Sequence, residues 1–173
     1  HQFDVHERGF SFRFDSALDM RMDVSSSLTA RNVVNEYSEE DLSDIFFHYG
    51  ELRKSRILSK IIVQKRKINC IETTTELVNT INHLVPEKKR NQFLSQVFQS
   101  IRIEVNDEIE SLKQMLNDGV DLLNRGGRFV VMSYHSLEDR LVKNLFKRGN
   151  LSGEIEKDFY GNIIKDLKEV NTK

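Results

Sequence analysis

The sequence predicts an α/β fold interrupted by a helical lobe, and three observations carry that expectation. Between Gly126 and Lys147 the chain runs through a glycine turn, an apolar strand Phe129-Val-Val-Met132, a polar junction and a basic amphipathic helix. Upstream of that turn, Val105, Ile109, Leu112, Leu116, Val120 and Leu123 recur at three- and four-residue intervals, which predicts one long helix from about Phe98 to Leu123. Helix, turn, strand and helix in succession is the grammar of an α/β sheet. Between Thr29 and Pro86, by contrast, the chain offers short amphipathic stretches that cannot each bury an apolar stripe alone. They have to pack as a bundle or against a neighbouring domain.

The elements follow in order. Phe10, Phe12 and Phe14 alternate with polar residues, which suits a short extended segment with one buried face, and Ser25-Ser-Ser27 marks a boundary. Thr29 caps a short helix running through Val34. Ser38 with Asp41 forms a capping box ahead of Leu42, Ile45 and Phe46. Leu52 to Lys65 places Ile57, Leu58, Ile61 and Ile62 on an apolar stripe. Thr73 and Glu76 repeat the cap signal before Leu77, Val78, Ile81 and Leu84, and Pro86 stops that helix. Pro86-Glu-Lys-Lys-Arg90 reads as a basic, mobile connection. Ser136-Leu-Glu-Asp139 reads as a capping box opening a helix from Leu137 to Phe146, and the polar tail beyond Arg148 has Ile163, Ile164 and Leu167 as apolar anchors.

Composition excludes several classes. An apolar content of 38% over 173 residues fits one sizeable core, or one core with a smaller lobe. No apolar run approaches the roughly 20 residues of a bilayer helix, and the first residues lack an export-signal pattern. The single cysteine, Cys70, rules out an internal disulfide framework and fits a reducing compartment. Lys and Arg (26) nearly balance Asp and Glu (27), so no bulk positive field advertises nucleic acid, although local patches remain open. The chain starts at His1-Gln-Phe-Asp, as though entered part-way through a domain.

Chemistry concentrates at the strand end. In open α/β sheets ligands bind at the carboxyl ends of strands, where Ser133, Tyr134, His135 and Ser136 fall. His135 either faces that crevice as a hydrogen-bonding or proton-transfer group, or packs at the turn and orients the backbone. Arg140, Lys143, Lys147 and Arg148 form a basic helix beside it. Lys54, Arg56, Lys60, Lys65, Arg66 and Lys67 form either a phosphate-contacting face or a solvated surface. Asp15, Asp19 and Asp23 recur every four residues, but Arg13 and Arg21 stand among them, and internal pairing is the simpler expectation. His48, His83 and Cys70 are too scattered for zinc, and no metal is expected. Neither a glycine-rich phosphate loop nor a hydrolase nucleophile elbow occurs.

Several stretches together resemble the bacterial-type 16S ribosomal RNA cytosine-N4 methyltransferases. They are Glu7-Arg-Gly-Phe-Ser-Phe-Arg-Phe-Asp15, Leu18-Asp-Met-Arg-Met-Asp23, Leu28-Thr-Ala30, Tyr49-Gly50, Thr73-Thr-Thr-Glu-Leu77, Phe98 to Leu112, and Gly126 to Lys143. Tyr134 stands where the family wording has Phe. The resemblance implies a partial doubly wound S-adenosylmethionine-dependent methyltransferase fold, interrupted by a helical insertion. Its expected segments are a donor- and target-proximal segment (1–25), the helical insertion (26–96), a core helix-strand-helix (97–150) and a polar extension (151–173). It further implies an internal fragment, because the family's glycine-rich donor loop and final strands are not in the sequence.

The residue roles it implies are Gln2 as a contact to S-adenosylmethionine, with Asp19, His135 and Ser136 as catalytic helpers. Arg8, Arg13, Arg21, Asp139, Arg140 and Lys143 fall on the RNA side. The implied activity is N4-methylation of a cytidine in the decoding region of 16S ribosomal RNA within the small ribosomal subunit, in the cytoplasm, with a homodimer left open. A non-catalytic RNA-binding or ribosome-maturation module is the alternative.

Overall fold

Helices start where hydroxyl caps can satisfy their first N–H groups. Helix α1 (Ala30–Glu36) follows Thr29, whose Oγ1 accepts from the Asn32 N–H at 3.2 Å while the Asn32 side chain accepts from the Thr29 N–H at 3.1 Å. Helix α2 (Glu39–His48) repeats this reciprocal arrangement with Ser38 and Asp41. Helix α3 (Ser55–Arg66) begins without a side-chain cap, and helix α4 (Thr74–Ile81) follows Thr73 paired with Glu76. A 3₁₀ turn, Asn82–Leu84, leads to helix α5 (Glu87–Asn106); helices α6 (Glu108–Asp121) and α7 (Ser136–Arg148) complete the order. The computed structural model describes residues 8–165, 167 and 168, in two units, His1–Asp107 and Glu108–Lys173.

In the first unit α2 packs on α3 and α5, α3 on α4, and α1 on α5. Phe46, Leu42, Leu58, Ile62, Leu77, Ile81, Val97 and Ile101 are buried there, together with Leu18 and Met20 from the preceding loop. Each such side chain contributes roughly 1.5–3 kcal/mol by leaving water. The stripe on α3 differs from expectation, since Ile57 is 53% exposed. The buried face is instead Ser55, Leu58, Ser59, Ile62 and Val63. Two small serines let α2 come close, and the Ser43 and Ser55 hydroxyls meet at 3.1 Å.

The expected long helix is two helices. Asp107 adopts a left-handed conformation, φ 48° and ψ 41°, and breaks the run between α5 and α6. The apolar spacing continues across the break, so periodicity alone could not reveal it. Residues 87–90 form the first turn of α5 and not a connection, with extended Pro86 at the cap position, where a missing N–H costs nothing. Phe12 lies in a turn and Phe14 at a bend, and none of the three phenylalanines belongs to a strand; Phe10 and Phe12 still pack on the core, and Phe12 meets Phe98 edge-on at 5.7 Å.

In the second unit α6 and α7 enclose Leu116, Val142 and Leu145, with Phe129, Val131 and Phe146 packed against them. The predicted strand Phe129–Met132 keeps its alternation without its ladder. Phe129 and Val131 face this core, while Val130, Met132 and Tyr134 are 86%, 76% and 85% exposed. Among the described residues no strand forms, and the bridges Ala17–Thr73 and Lys157–Ile163 are isolated. A strand needs a neighbour's N–H and C=O groups, and no described segment offers them here. Helix α7 ends at Gly149, φ 82°, whose N–H bonds the Leu145 carbonyl at 3.0 Å; a Cβ there would meet the Ile164 carbonyl oxygen at 2.4 Å. Of the three tail anchors, Leu167 packs on this core, whereas Ile163 and Ile164 are exposed.

Phe46→Ala is expected to destabilise the first unit by about 3–5 kcal/mol, and Ile57→Ala by less than about 0.5 kcal/mol. Urea unfolding of the two variants measures the contrast.

Candidate functional site

The loop of residues 8–26 threads beneath the helical lobe, so its main-chain groups must find partners inside the protein. It turns back on itself at Gly9, φ 72°, where a Cβ would meet the Ala17 carbonyl oxygen at 2.3 Å. The Leu18 N–H donates to the Glu72 carbonyl at 3.1 Å, and the Thr74 hydroxyl to the Phe14 carbonyl at 2.6 Å. The first N–H groups of α1, at Ala30 and Arg31, donate to the carbonyls of Asp19 and Leu18, each at 2.8 Å. Met20 is fully buried in a left-handed conformation, φ 59°. Its N–H donates to the Arg8 carbonyl. Asn106, the last residue of α5, donates to the Met20 carbonyl at 2.8 Å and accepts from the Met22 N–H at 2.6 Å.

Within this loop the expected residues Asp19, Arg21 and Arg8 come together. Arg21 donates to both Asp19 carboxylate oxygens, at 2.6 Å from Nε and 3.1 Å from Nη2, and its Nη1 bonds the carbonyls of Val24 and Ser26. The Arg8 guanidinium donates to the Arg21 carbonyl and lies 5.7 Å from the Phe10 ring centroid. Hydrogen bonds from Arg21 first, then the charges of Arg21 and Arg8, hold the Asp19 carboxyl below its ordinary value against partial burial. Arg13 is exposed, with its N–H on the Ser11 hydroxyl. Each Asp of the four-residue series has its own local partner: Thr73 and Thr75 for Asp15, Arg21 for Asp19, Ser25 for Asp23. Beside the loop a cavity of about 260 Å³ is lined by Phe12, Val78, Glu87, Arg90, Asn91 and Leu94.

The second group stands at the start of α7. The cap is His135 and not Ser136, one residue earlier than the spacing suggested: Nδ1 accepts from the Glu138 N–H at 3.4 Å. Glu138 accepts the Tyr134 N–H at 2.8 Å, and its Oε1 lies 3.2 Å from His135 Nε2, off the line of a hydrogen bond. Glu108, His135 and Glu138 bring one candidate ligand atom each within 4.8 Å of one another. With the Nδ1 lone pair engaged by the cap, a neutral imidazole carries its proton on Nε2, where a cation would need a lone pair. Within the cluster, His135 and Glu138 therefore serve the helix start through their bonds to the Glu138 and Tyr134 N–H groups. Ser136 and Arg140 are exposed on the first turns of α7, and Asp139 pairs with Lys143 at 2.5 Å.

The expected residues thus fall into two groups, one in each unit, and Gln2 lies outside the described residues. Sequence reasoning missed Asn106 and Glu138. The signal for Glu138 was its position three after His135, obscured by the equal spacing of Ser136 and Asp139. Asn106 had no spacing signal.

Residues 1–168 match the model of the MraW methylase family. The chain belongs to this family. It is 52% identical over 170 residues to ribosomal RNA small subunit methyltransferase H of Flavobacterium johnsoniae, covering 98% of this chain and 56% of that protein. The proteins of the same name from Parabacteroides distasonis and Bacteroides thetaiotaomicron are 49% and 50% identical, each over all of this chain and 57% of its own length. The chain therefore spans somewhat over half the length of the family members it matches.

Two outcomes test the loop. Asn106→Ala removes partners from Met20 and Met22 and is expected to cost about 1–2 kcal/mol. It is also expected to speed hydrogen exchange at the Met22 amide while the interior of α2 stays protected. Asp19→Asn is expected to destabilise at neutral pH. Because the folded carboxyl titrates below its ordinary 3.8, the pairing stabilises above that pH and is lost as pH falls through the depressed value. The deficit of the Asn variant, followed by denaturation at each pH, is expected to shrink over that acid range.

Proposed function

We propose that this chain is part of an S-adenosylmethionine-dependent methyltransferase that methylates N4 of a cytidine in the decoding region of 16S ribosomal RNA. The observation that carries the proposal is identity near 50% along the whole chain with methylases named for ribosomal RNA of the small subunit. In the same reading, residues 26–96 are a helical insertion in a doubly wound α/β core, and residues 1–25 and 97–150 belong to that core. The inward Phe129 and Val131 against the outward Val130 and Met132 support a sheet strand. No helix of the described residues is long and apolar enough to cross a membrane. The site of action proposed is the cytoplasm, on the small ribosomal subunit.

The cavity beside the loop and the Asp19 carboxylate are not a ready site for the methyl donor. The cavity by Phe12 is smaller than the roughly 300–1,000 Å³ usual for such ligands, and both Asp19 oxygens are occupied by Arg21. Gln2 remains the proposed donor contact. What these residues offer is the RNA side. The amino nitrogen of cytosine has its lone pair delocalised into the ring, so it must be aligned, and its proton must be accepted as the bond forms. Asp19 serves by fixing Arg21; Arg8, Arg13 and Arg21 line the loop; His135, Ser136, Asp139, Arg140 and Lys143 stand at the start of α7 in the second unit. Since Asp19 and His135 are both engaged internally, a non-catalytic RNA-binding module is the second reading.

The full-length protein, given labelled S-adenosylmethionine and small ribosomal subunits, is expected to place label in N4-methylcytidine of the RNA. RNA binding without label would favour the second reading, and label only in free nucleotide or protein would overturn both. Arg21→Ala, which frees Asp19 and two loop carbonyls at once, is expected to lower kcat/KM by about 10²-fold through misplacement.

A further inference from the structure

Seven of the chain's 26 Lys and Arg residues fall between positions 53 and 67, with no Asp or Glu among them. Some have internal work. The Lys54 ammonium donates to the Leu84 carbonyl at 3.2 Å, and Arg66 donates to the carbonyls of Val34 and Tyr37 at 2.8 and 2.5 Å. Lys65 sits in the last turn of α3, where a cation suits the helix dipole. Arg56, Lys60 and Lys67 have no such role. All three are exposed, and their side chains make no ion pair or hydrogen bond among the described residues.

Arg56, Lys60, Gln64 and Lys67 are spaced by four, four and three residues, which aligns them along one face of α3 over about 16 Å. Helix stability does not account for this row. Arg56 lies in the first turn and Lys60 in the first half, at the positive end of the dipole, and α3 has neither an acid in its first turn nor a side-chain cap. Neighbouring α2 shows the stabilising arrangement, with Glu39, Glu40 and Asp41 in its first turn and His48 in its last. A protein-binding face would have an apolar, charge-depleted centre. Here the exposed apolar side chains, Ile57 and Ile68, stand near the two ends of the row, and the row itself is cationic with a single amide. Point cations at regular spacing on a rigid helix match a phosphate backbone.

We propose that this face of α3 is where the RNA backbone runs, Arg56, Lys60 and Lys67 each meeting a phosphate and Gln64 donating between them. The proposal rests on the ribosomal RNA reading above and adds to it the surface that holds the substrate away from the reacting base.

The test uses the full-length protein and a small-subunit ribosomal RNA transcript, with binding measured over a series of salt concentrations. The triple variant Arg56→Gln, Lys60→Gln, Lys67→Gln is expected to bind more than about tenfold more weakly at low salt, with the slope of log affinity against log salt reduced by about two to three. In the methylation assay it is expected to raise KM for RNA and leave kcat unchanged at saturation. The control Lys113→Gln removes a cation already paired with Glu110 at 2.5 Å and is expected to leave the slope unchanged. An unchanged thermal midpoint checks the fold, and the single reversal Lys60→Glu gives a second, independent loss. Wild-type methylation with an unaltered slope and KM in the variants would overturn the proposal alone. A wild type that neither binds nor methylates this RNA would overturn the reading beneath it.

Discussion

The loop of residues 8–26 can lie under the helical lobe only because its buried main-chain groups are paired, and the bond pair from Asn106 is the one on which that arrangement turns. Met20 is wholly buried in a conformation that ordinary residues seldom adopt, so nothing regular in its backbone satisfies it. A single amide side chain supplies the acceptor for one N–H and the donor for one carbonyl two residues away, as an adjacent strand would. Asn106 can do this because α5 stops immediately after it, at the left-handed Asp107. The end of one helix and the shape of the loop are therefore a single feature. Arg21 then closes the loop upon itself through Asp19, Val24 and Ser26.

Charge is distributed by use and not by count. The chain is nearly neutral, yet several of its acids are already engaged: Asp19 with Arg21, Glu72 with Arg31, Asp139 with Lys143, Asp23 with Ser25. The exposed row on α3 pairs with no acid among the described residues. A net charge close to zero thus coexists with a local surface of one sign, and local potential, not the total, governs encounter with a polyanion. This is why the composition hid what the arrangement of residues supports.

Much of the first unit was legible in the sequence because capping is a local interaction. Thr29, Ser38 and Thr73 each start a helix as expected, the last two with the partners Asp41 and Glu76 that their spacing suggests, since cap and helix lie within four residues. What could not be read depends on longer range or on backbone conformation. The break at Asp107 leaves the apolar period untouched. Burial of Ser55 and Ser59 in place of Ile57 follows from the approach of α2, which no property of α3 encodes. The strand character of residues 129–132 was visible as alternation, but pairing belongs to two segments at once. At the candidate site the pairing of Asp19 with Arg21 followed the expectation of internal partners, whereas Asn106 acts across more than 80 residues of chain.

The junction at α7 shows how a local bond limits chemistry. His135 holds the helix start through the Nδ1 lone pair, and the neutral ring then carries its proton on Nε2 beside Glu138. Nε2 in that tautomer has no lone pair to offer. The ring therefore contributes by position: it fixes the turn from which Tyr134 points outward and Ser136 begins the helix. A histidine tied into the backbone in this way serves alignment of its neighbours better than a free one would.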